Sequence, residues 1–146
     1  MKKKLTGKTP SLIDVQDIGD VRSRGGCRGL AATIGIGNVA QVEDQLSVAL
    51  AMGDDSLAYA LDAHQSVALA TGYNGHAEAH VCSTDSVVIA TGKNGKAKAG
   101  PGSVIVLVYR EKYNHIKHVK SGIAGRNGLK PDTWYTLNSK GEFVEA

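Results

Sequence analysis

Bulky core-forming side chains are scarce in this sequence. The 146 residues include one Trp, one Phe and two Met, against 18 Gly. An ordinary globular core is built from large side chains that interdigitate at high density, and too few are present here to build one. We therefore expect a thin fold whose interior is filled by alanine.

Membrane-spanning segments and metal-type cysteine pairs are also lacking. The longest apolar run, residues 104–108, is far too short to cross a bilayer. The basic start at residues 1–4 is not followed by an apolar stretch, so secretion is not predicted. Cys27 and Cys82 lie far apart without a paired spacing, which favours free thiols in a reducing compartment.

Positive charge is missing from a long central stretch. Residues 29–90 contain no Lys or Arg and seven acidic residues, whereas residues 91–130 contain nine basic residues and one acidic residue. The small net charge of +3 therefore conceals an acidic early half and a basic late end.

What the sequence does contain is an internal repeat. Ser-Val-Ala-Leu-Ala at residues 47–51 returns unchanged at 66–70, as Ser-Val-Val-Ile-Ala at 86–90 and as Ser-Val-Ile-Val-Leu at 103–107. A shorter motif with alanine at alternate positions lies between these copies. Gly, Asp and Asn mark the joints, so each unit is predicted to be strand, turn, strand, turn. A fixed period of this length is typical of a solenoid.

The predicted fold is all-β, a parallel β-solenoid or β-roll of about four coils with a small C-terminal antiparallel β unit. The predicted divisions are a basic N-terminal leader and cap at 1–28, the β-solenoid at 29–108 and a C-terminal β cap at 109–146. We expect the C-terminal unit to plug the open end of the stack, because an uncovered end exposes unpaired backbone groups.

The second strand of each unit has a definite inward face. Side chains alternate along a strand, and the charged residues His76, Glu78, Lys96 and Lys98 are expected to face solvent. The intervening alanines then face inward.

The first strand leaves two alternatives open. If the small residues face inward there as well, larger residues form an exposed apolar stripe, which soluble monomers rarely tolerate uncovered. A second copy of the protein or the C-terminal segment would then cover it. In the other alternative the large residues face inward and the small ones outward. The predicted oligomer interface consists of Val48, Leu50, Val67, Leu69, Val87 and Ile89.

One cluster has the character of a metal site. His76, Glu78, His80 and Cys82 would share one face of a continuous strand, and two histidines two residues apart can both reach a zinc ion. Alternatively the strand ends near Ala79, and His80 and Cys82 belong to a turn. The second alternative is favoured, so no cofactor is predicted.

A group of basic residues is the candidate binding site for an anionic or protein partner. It consists of Lys93, Lys96, Lys98, Arg110 and Lys112. Nucleic acid is one partner that such a basic end can take. The alternative is a solvated end that complements the acidic residues of another copy.

The later part of the chain resembles an uncharacterised family of phage and prophage proteins with a β-solenoid fold. The resemblance lies in Ser-Val-Val-Ile-Ala-Thr-Gly-Lys-Asn-Gly-Lys-Ala-Lys-Ala at 86–99, Leu-Lys-Pro-Asp-Thr-Trp-Tyr at 129–135 and Gly-Glu-Phe-Val-Glu at 141–145. The repeats are more weakly similar to the head repeats of trimeric autotransporter adhesins. The phage resemblance implies a phage or bacterial origin and the cytoplasm of the host bacterium. It implies no activity.

The predicted function is non-catalytic macromolecule binding by a protein of phage or prophage origin. One use would be the inhibition of a host defence complex, as anti-CRISPR proteins do. The first alternative is an oligomeric structural or virion decoration protein. A metal-dependent enzyme built on residues 76–82 is the second and less favoured one. A protein partner, or another copy of this chain, is therefore expected.

Overall fold

The computed structural model describes residues 13–16, 21–23, 28–80 and 83–146, with side chains from residue 28 onward. Residues 1–12 of the predicted leader lie outside the described residues. Cys27 and Cys82 lie outside them too, so the prediction of free thiols stays a prediction.

The described strands alternate between two sheets, each with seven strands. Sheet A contains, in spatial order, β1 (Ile13–Gln16), β3 (Leu30–Ile34), β5 (Val48–Met52), β7 (Val67–Thr71), β9 (Val87–Ala90), β11 (Val104–Arg110) and β12 (Ile116–Ile123). Sheet B contains β2 (Val21–Ser23), β4 (Val39–Val42), β6 (Leu57–Ala60), β8 (His76–Ala79), β10 (Lys96–Lys98), β13 (Tyr135–Leu137) and β14 (Phe143–Glu145). From β1 to β10 each turn of the chain adds one strand to each sheet, whereas β11 and β12 both join sheet A and β13 and β14 both join sheet B.

Strand pairing confirms the predicted parallel β-solenoid. Neighbouring strands are parallel from β1 to β11 and from β2 to β10, and the last pairs of both sheets are antiparallel. Ala68 lies opposite Val88, and Val88 lies opposite Ile105, so equivalent repeat positions stand above one another.

The structure decides between the two alternatives for the first strand. Ala49, Ala68 and Val88 are fully buried, while the larger neighbours on either side of each point outward and stay half-buried or exposed. The alanines of sheet B, such as Ala58 and Ala77, are fully buried as well. Alanines from both sheets therefore fill the interior over most of the stack. Each buried methyl contributes only about 0.8 kcal/mol, so this interior depends on many repeats.

The C-terminal segment closes the end of the stack. Leu129, Tyr135 and Leu137 belong to the buried core cluster, and Phe143 packs against it. Gly122 on β12 leaves room for this packing, since a Cβ there would lie 2.3 Å from a Leu129 methyl carbon. The expectation that this segment covers the apolar stripe is wrong, because its large side chains fill the end of the core instead.

Buried serines align the coils at one edge of the solenoid. Ser47, Ser66, Ser86 and Ser103 are each at most 1% exposed. The Ser47 amide donates to the Ser66 hydroxyl at 3.0 Å, and the Ser66 amide donates to the Ser86 hydroxyl at 3.2 Å. The Ser86 amide continues the series to the Ser103 hydroxyl at 3.1 Å. The first residue of the repeat is therefore a structural link between successive coils.

Glycines bring the coils together at the opposite edge. A Cβ on Gly92 would lie 1.5 Å from the Gly72 carbonyl oxygen, and one on Gly72 would lie 2.3 Å from the Gly53 oxygen. Gly72 also has a φ of +110°, which L side chains rarely adopt. Only glycine permits this close stacking of backbones.

Candidate binding surfaces

The outward surface of sheet A is an apolar face made of three columns, which we call the sheet A face. Strand register builds each column from equivalent positions of successive coils. The first column is Leu30, Val48, Val67, Val87, Val104 and Ile123. The second is Leu50, Leu69, Ile89 and Val106, and it ends at the polar Ser121 on β12. The third is Ile34, Met52, Thr71, Thr91, Val108 and Val119.

These side chains are accessible to solvent in the described structure. Val48 in the first column is 37% exposed, and Ile34 and Val119 in the third column are 42% and 62% exposed. The other aliphatic residues of the first and second columns are half-buried. The three columns contain no charged residue. All six residues of the predicted oligomer interface lie on this face, and the structure places them side by side in two adjacent columns.

A groove runs along the glycine edge of the solenoid, beside β11. It consists of two adjoining hollows of about 390 Å³ and 610 Å³ that share Lys93 and Arg110, and we call it the corner groove. Asp54, Tyr73 and Asn114 help to line the first hollow. Tyr109, Lys112, Tyr113 and His115 help to line the second.

Arg110 holds the groove in shape. Its Nε donates to the Thr91 carbonyl oxygen at 2.7 Å, and its Nη1 donates to the Asn114 carbonyl oxygen at 2.9 Å. These bonds tie the β11–β12 connection to the neighbouring coil. Two consecutive residues of that connection, Tyr113 and Asn114, have left-handed backbones with φ of 58° and 64°. Tyr113 is 91% exposed.

The outward surface of sheet B is partly covered by the chain itself, where Trp134 lies against β8 and β10. The Lys98 ammonium lies 2.8 Å from a Glu78 carboxylate oxygen and 5.1 Å from the centre of the Trp134 ring. Trp134 also contacts the His76 ring, with centroids 5.5 Å apart. Glu78 is only 8% exposed. The expectation that it simply faces water is wrong, because its neighbours cover it.

Burial changes the proton affinity of two groups on this surface. The half-buried position of His76 lowers the pKa of its imidazole below the usual 6.5, and nearby Lys96 lowers it further. Burial also raises the pKa of Tyr59, and the Glu78 carboxylate adds to that shift. Both rings are therefore held in their neutral forms near pH 7.

The end of β8 separates the residues of the candidate metal site. The strand ends at Ala79, and His80 lies in the following turn, exposed, with its Nδ1 4.0 Å from Asp62. His76 faces Trp134, and Glu78 is paired with Lys98. Within the described residues, no three His, Cys, Asp or Glu side chains converge on one point. Cys82 is outside that set.

The structure divides the basic group predicted from the sequence. Lys93, Arg110 and Lys112 meet at the corner groove, whereas Lys96 and Lys98 project from sheet B. Sequence reasoning missed Tyr109 and Tyr113 of the groove, because residues 109–115 follow the last repeat and the period gives no register there. The only available signal was the concentration of aromatic residues after residue 108.

Comparison of this chain with protein-family models, with curated proteins and with solved structures finds no match. Among the described residues, no helix has the length and apolar character needed to span a bilayer.

Proposed function

We propose that this protein is a non-catalytic scaffold that binds another protein through the sheet A face. The supporting observation is the set of uncharged columns that stay accessible although the interior behind them is filled. An apolar surface of this kind marks an interaction site when it is large and contiguous.

The size of the face supports a protein partner. Six strands from β3 to β12, spaced about 4.8 Å apart, and about five residues per strand give a footprint of roughly 450 Å². The largest apolar patch on a typical monomer is about 300–600 Å² and is often functional. A stable complex buries about 800 Å² per partner. The face can therefore form the apolar centre of such an interface, with its rim supplying the remainder.

The rim indicates the chemistry of the partner. Arg110 stands at the end of β11, and Lys93 lies on the adjacent turn. The expected partner presents a flat apolar surface with acidic residues beside it. A phage or prophage protein that inhibits a host defence complex in the bacterial cytoplasm would work in this way. Origin, compartment and inhibition are proposed from the sequence resemblance.

A second copy of the chain is the other candidate partner, which would make the protein an oligomeric structural component such as a virion decoration protein. Two identical faces have the same spacing between ridges. A two-fold axis along the strands, between β7 and β9, brings the β5 edge of one copy beside the β11 edge of the other. This arrangement would set Asp54, which follows β5, on the same side of the interface as Arg110 at the end of β11, and charges of opposite sign would then meet at the rim.

Light scattering of the purified chain, together with capture of partners from host lysate, separates the two candidates. We expect light scattering to give the mass of a 15.3 kDa monomer if the partner is a different protein, and the mass of a dimer if the partner is a second copy of the chain. Leu69→Arg places a charge in the middle column and should abolish either association. Leu57→Arg on the outward side of sheet B is the matched control. Circular dichroism checks that both variants fold.

A monomer that captures a protein through Leu69 supports the foreign partner. A dimer that Leu69→Arg dissociates supports the structural role. A monomer whose captured proteins are the same with and without Leu69→Arg would refute the proposed use of this face.

A further inference from the structure

The corner groove has features that the sheet A face does not explain. Within the described residues, the ammonium groups of Lys93 and Lys112 have no hydrogen-bond or ion-pair partner. Arg110 uses two of its donors on backbone oxygens and keeps others available, since a guanidinium has five N–H groups. Three cations therefore line one groove, and two of them are unpaired.

Tyr113 points to a ligand with a flat ring. A bulky residue with positive φ is a genuine outlier, and such strain is frequent at functional sites. The left-handed backbone of Tyr113 contributes nothing to the core, because its side chain is 91% exposed. Glycine or asparagine would suit this backbone better. The tyrosine ring must then have a use outside the folded chain.

The acidic groups near the groove leave its cationic end open. Asp54 lines the first hollow, where its carboxylate accepts the Tyr73 amide at 2.8 Å. Glu111 lines the second hollow, but one of its carboxylate oxygens lies 3.3 Å from the Lys117 ammonium. An anion is therefore expected in the second hollow, between Lys93 and Lys112.

We propose that the corner groove binds single-stranded nucleic acid. The phosphates lie against Lys93, Arg110 and Lys112, and an unpaired base stacks on Tyr113. Cationic grooves with exposed aromatic rings are the usual means of binding single strands without sequence preference. A duplex does not offer an unstacked base to the ring, and an acidic peptide would satisfy the cations without using Tyr113. This inference goes beyond the proposed function and does not depend on it.

Fluorescence anisotropy with labelled dT12 and rU12 tests the proposal. Three phosphate contacts, one for each cation, predict a slope of about −2 in a plot of log affinity against log salt. The double variant K93Q/K112Q should weaken binding at least about ten-fold. The double variant R126Q/K140Q changes the net charge equally at exposed residues outside the groove, and it should leave binding almost unchanged.

The Tyr113 variants separate stacking from folding. Tyr113→Gly relieves the backbone strain, so we expect the variant to be at least as stable as the parent while binding dT12 at least about five-fold more weakly. Tyr113→Trp, which keeps a flat ring, should retain binding.

Three outcomes would overturn the proposal. They are no binding of either oligonucleotide at 50 mM salt, equal binding of a 12-bp duplex, and binding of an oligoglutamate peptide as tight as that of dT12 with no effect of Tyr113→Gly. The last result would instead assign the groove to an acidic protein. The oligonucleotides dT12 and rU12 differ in the 2′-hydroxyl and in the thymine methyl group, and a preference for either one supports a single-strand site. If the chain is a monomer and captures no protein, the proposed function fails, but the measured binding of dT12 is unaffected. The two proposals therefore fail separately.

Discussion

Replacing Ser66 by alanine tests the serine links between coils. The side chain is 1% exposed, and its hydroxyl accepts the Ser47 amide at 3.0 Å. It also approaches the Asp44 and His64 carbonyl oxygens, both at 3.3 Å. Ser66→Ala leaves the Ser47 N–H buried without an acceptor. An orphaned buried donor costs about 1–3 kcal/mol, so we expect a loss of about 2 kcal/mol in the free energy of unfolding.

Urea unfolding followed by circular dichroism measures this loss. The midpoint should fall while the slope m stays constant, because the variant exposes the same surface on unfolding. In a chain of this length, the melting temperature should fall by about 4–8 °C. Ser121→Ala on β12 is the control, since Ser121 is exposed and such surface changes stay within about 0.5 kcal/mol.

Equal midpoints for Ser66→Ala and Ser121→Ala would refute the reasoning. The repeated serine would then owe its position to turn geometry alone, and the hydrogen bonds between coils would contribute nothing measurable.

Two further changes test the other edge of the stack and the surface of sheet B. Gly92→Ala should destabilise the protein more than Gly128→Ala, because a Cβ at Gly92 meets the Gly72 oxygen at 1.5 Å, whereas one at Gly128 meets nothing within 4 Å. The left-handed φ of +82° at Gly128 adds a cost of only about 1–2 kcal/mol for alanine. Similar urea midpoints for both variants would contradict the close stacking. The pKa of His76 is lower in the folded chain than in the unfolded chain, so just below pH 6.5 the unfolded chain binds more protons. The free energy of unfolding should therefore fall as the pH drops through this range. In urea unfolding at pH 7.5 and pH 5, His76→Gln should lose less stability on acidification than the parent, and an equal loss would show that His76 makes no contribution.

Much of the fold could be predicted from the repeat alone. The period of Ser47, Ser66 and Ser86 fixed the order of the coils, and the charged residues between alanines fixed the inward side of sheet B. The orientation of sheet A could not be decided in this way, because both sides of its strands are apolar. Only the burial of Ala49, Ala68 and Val88 in the folded chain shows that the larger residues point outward.

The binding surfaces were less accessible to sequence reasoning. Lys93 and Lys96 are three residues apart, yet one lines the corner groove and the other projects from sheet B. Tyr113 joins Lys93 only because β12 folds back beside β11 and Arg110 ties the connection to the preceding coil. Contacts of this kind depend on a turn outside the repeat, for which the period makes no prediction.

The sequence by itself determined that this chain stacks as a β-solenoid, because a repeated strand pattern with small residues can bury its apolar atoms only against its own neighbours. Tertiary structure alone decided what the stack presents to other molecules. Which side of an all-apolar strand faces outward depends on which side chains pack between the two sheets. Which cations share a groove depends on the path of the last connection.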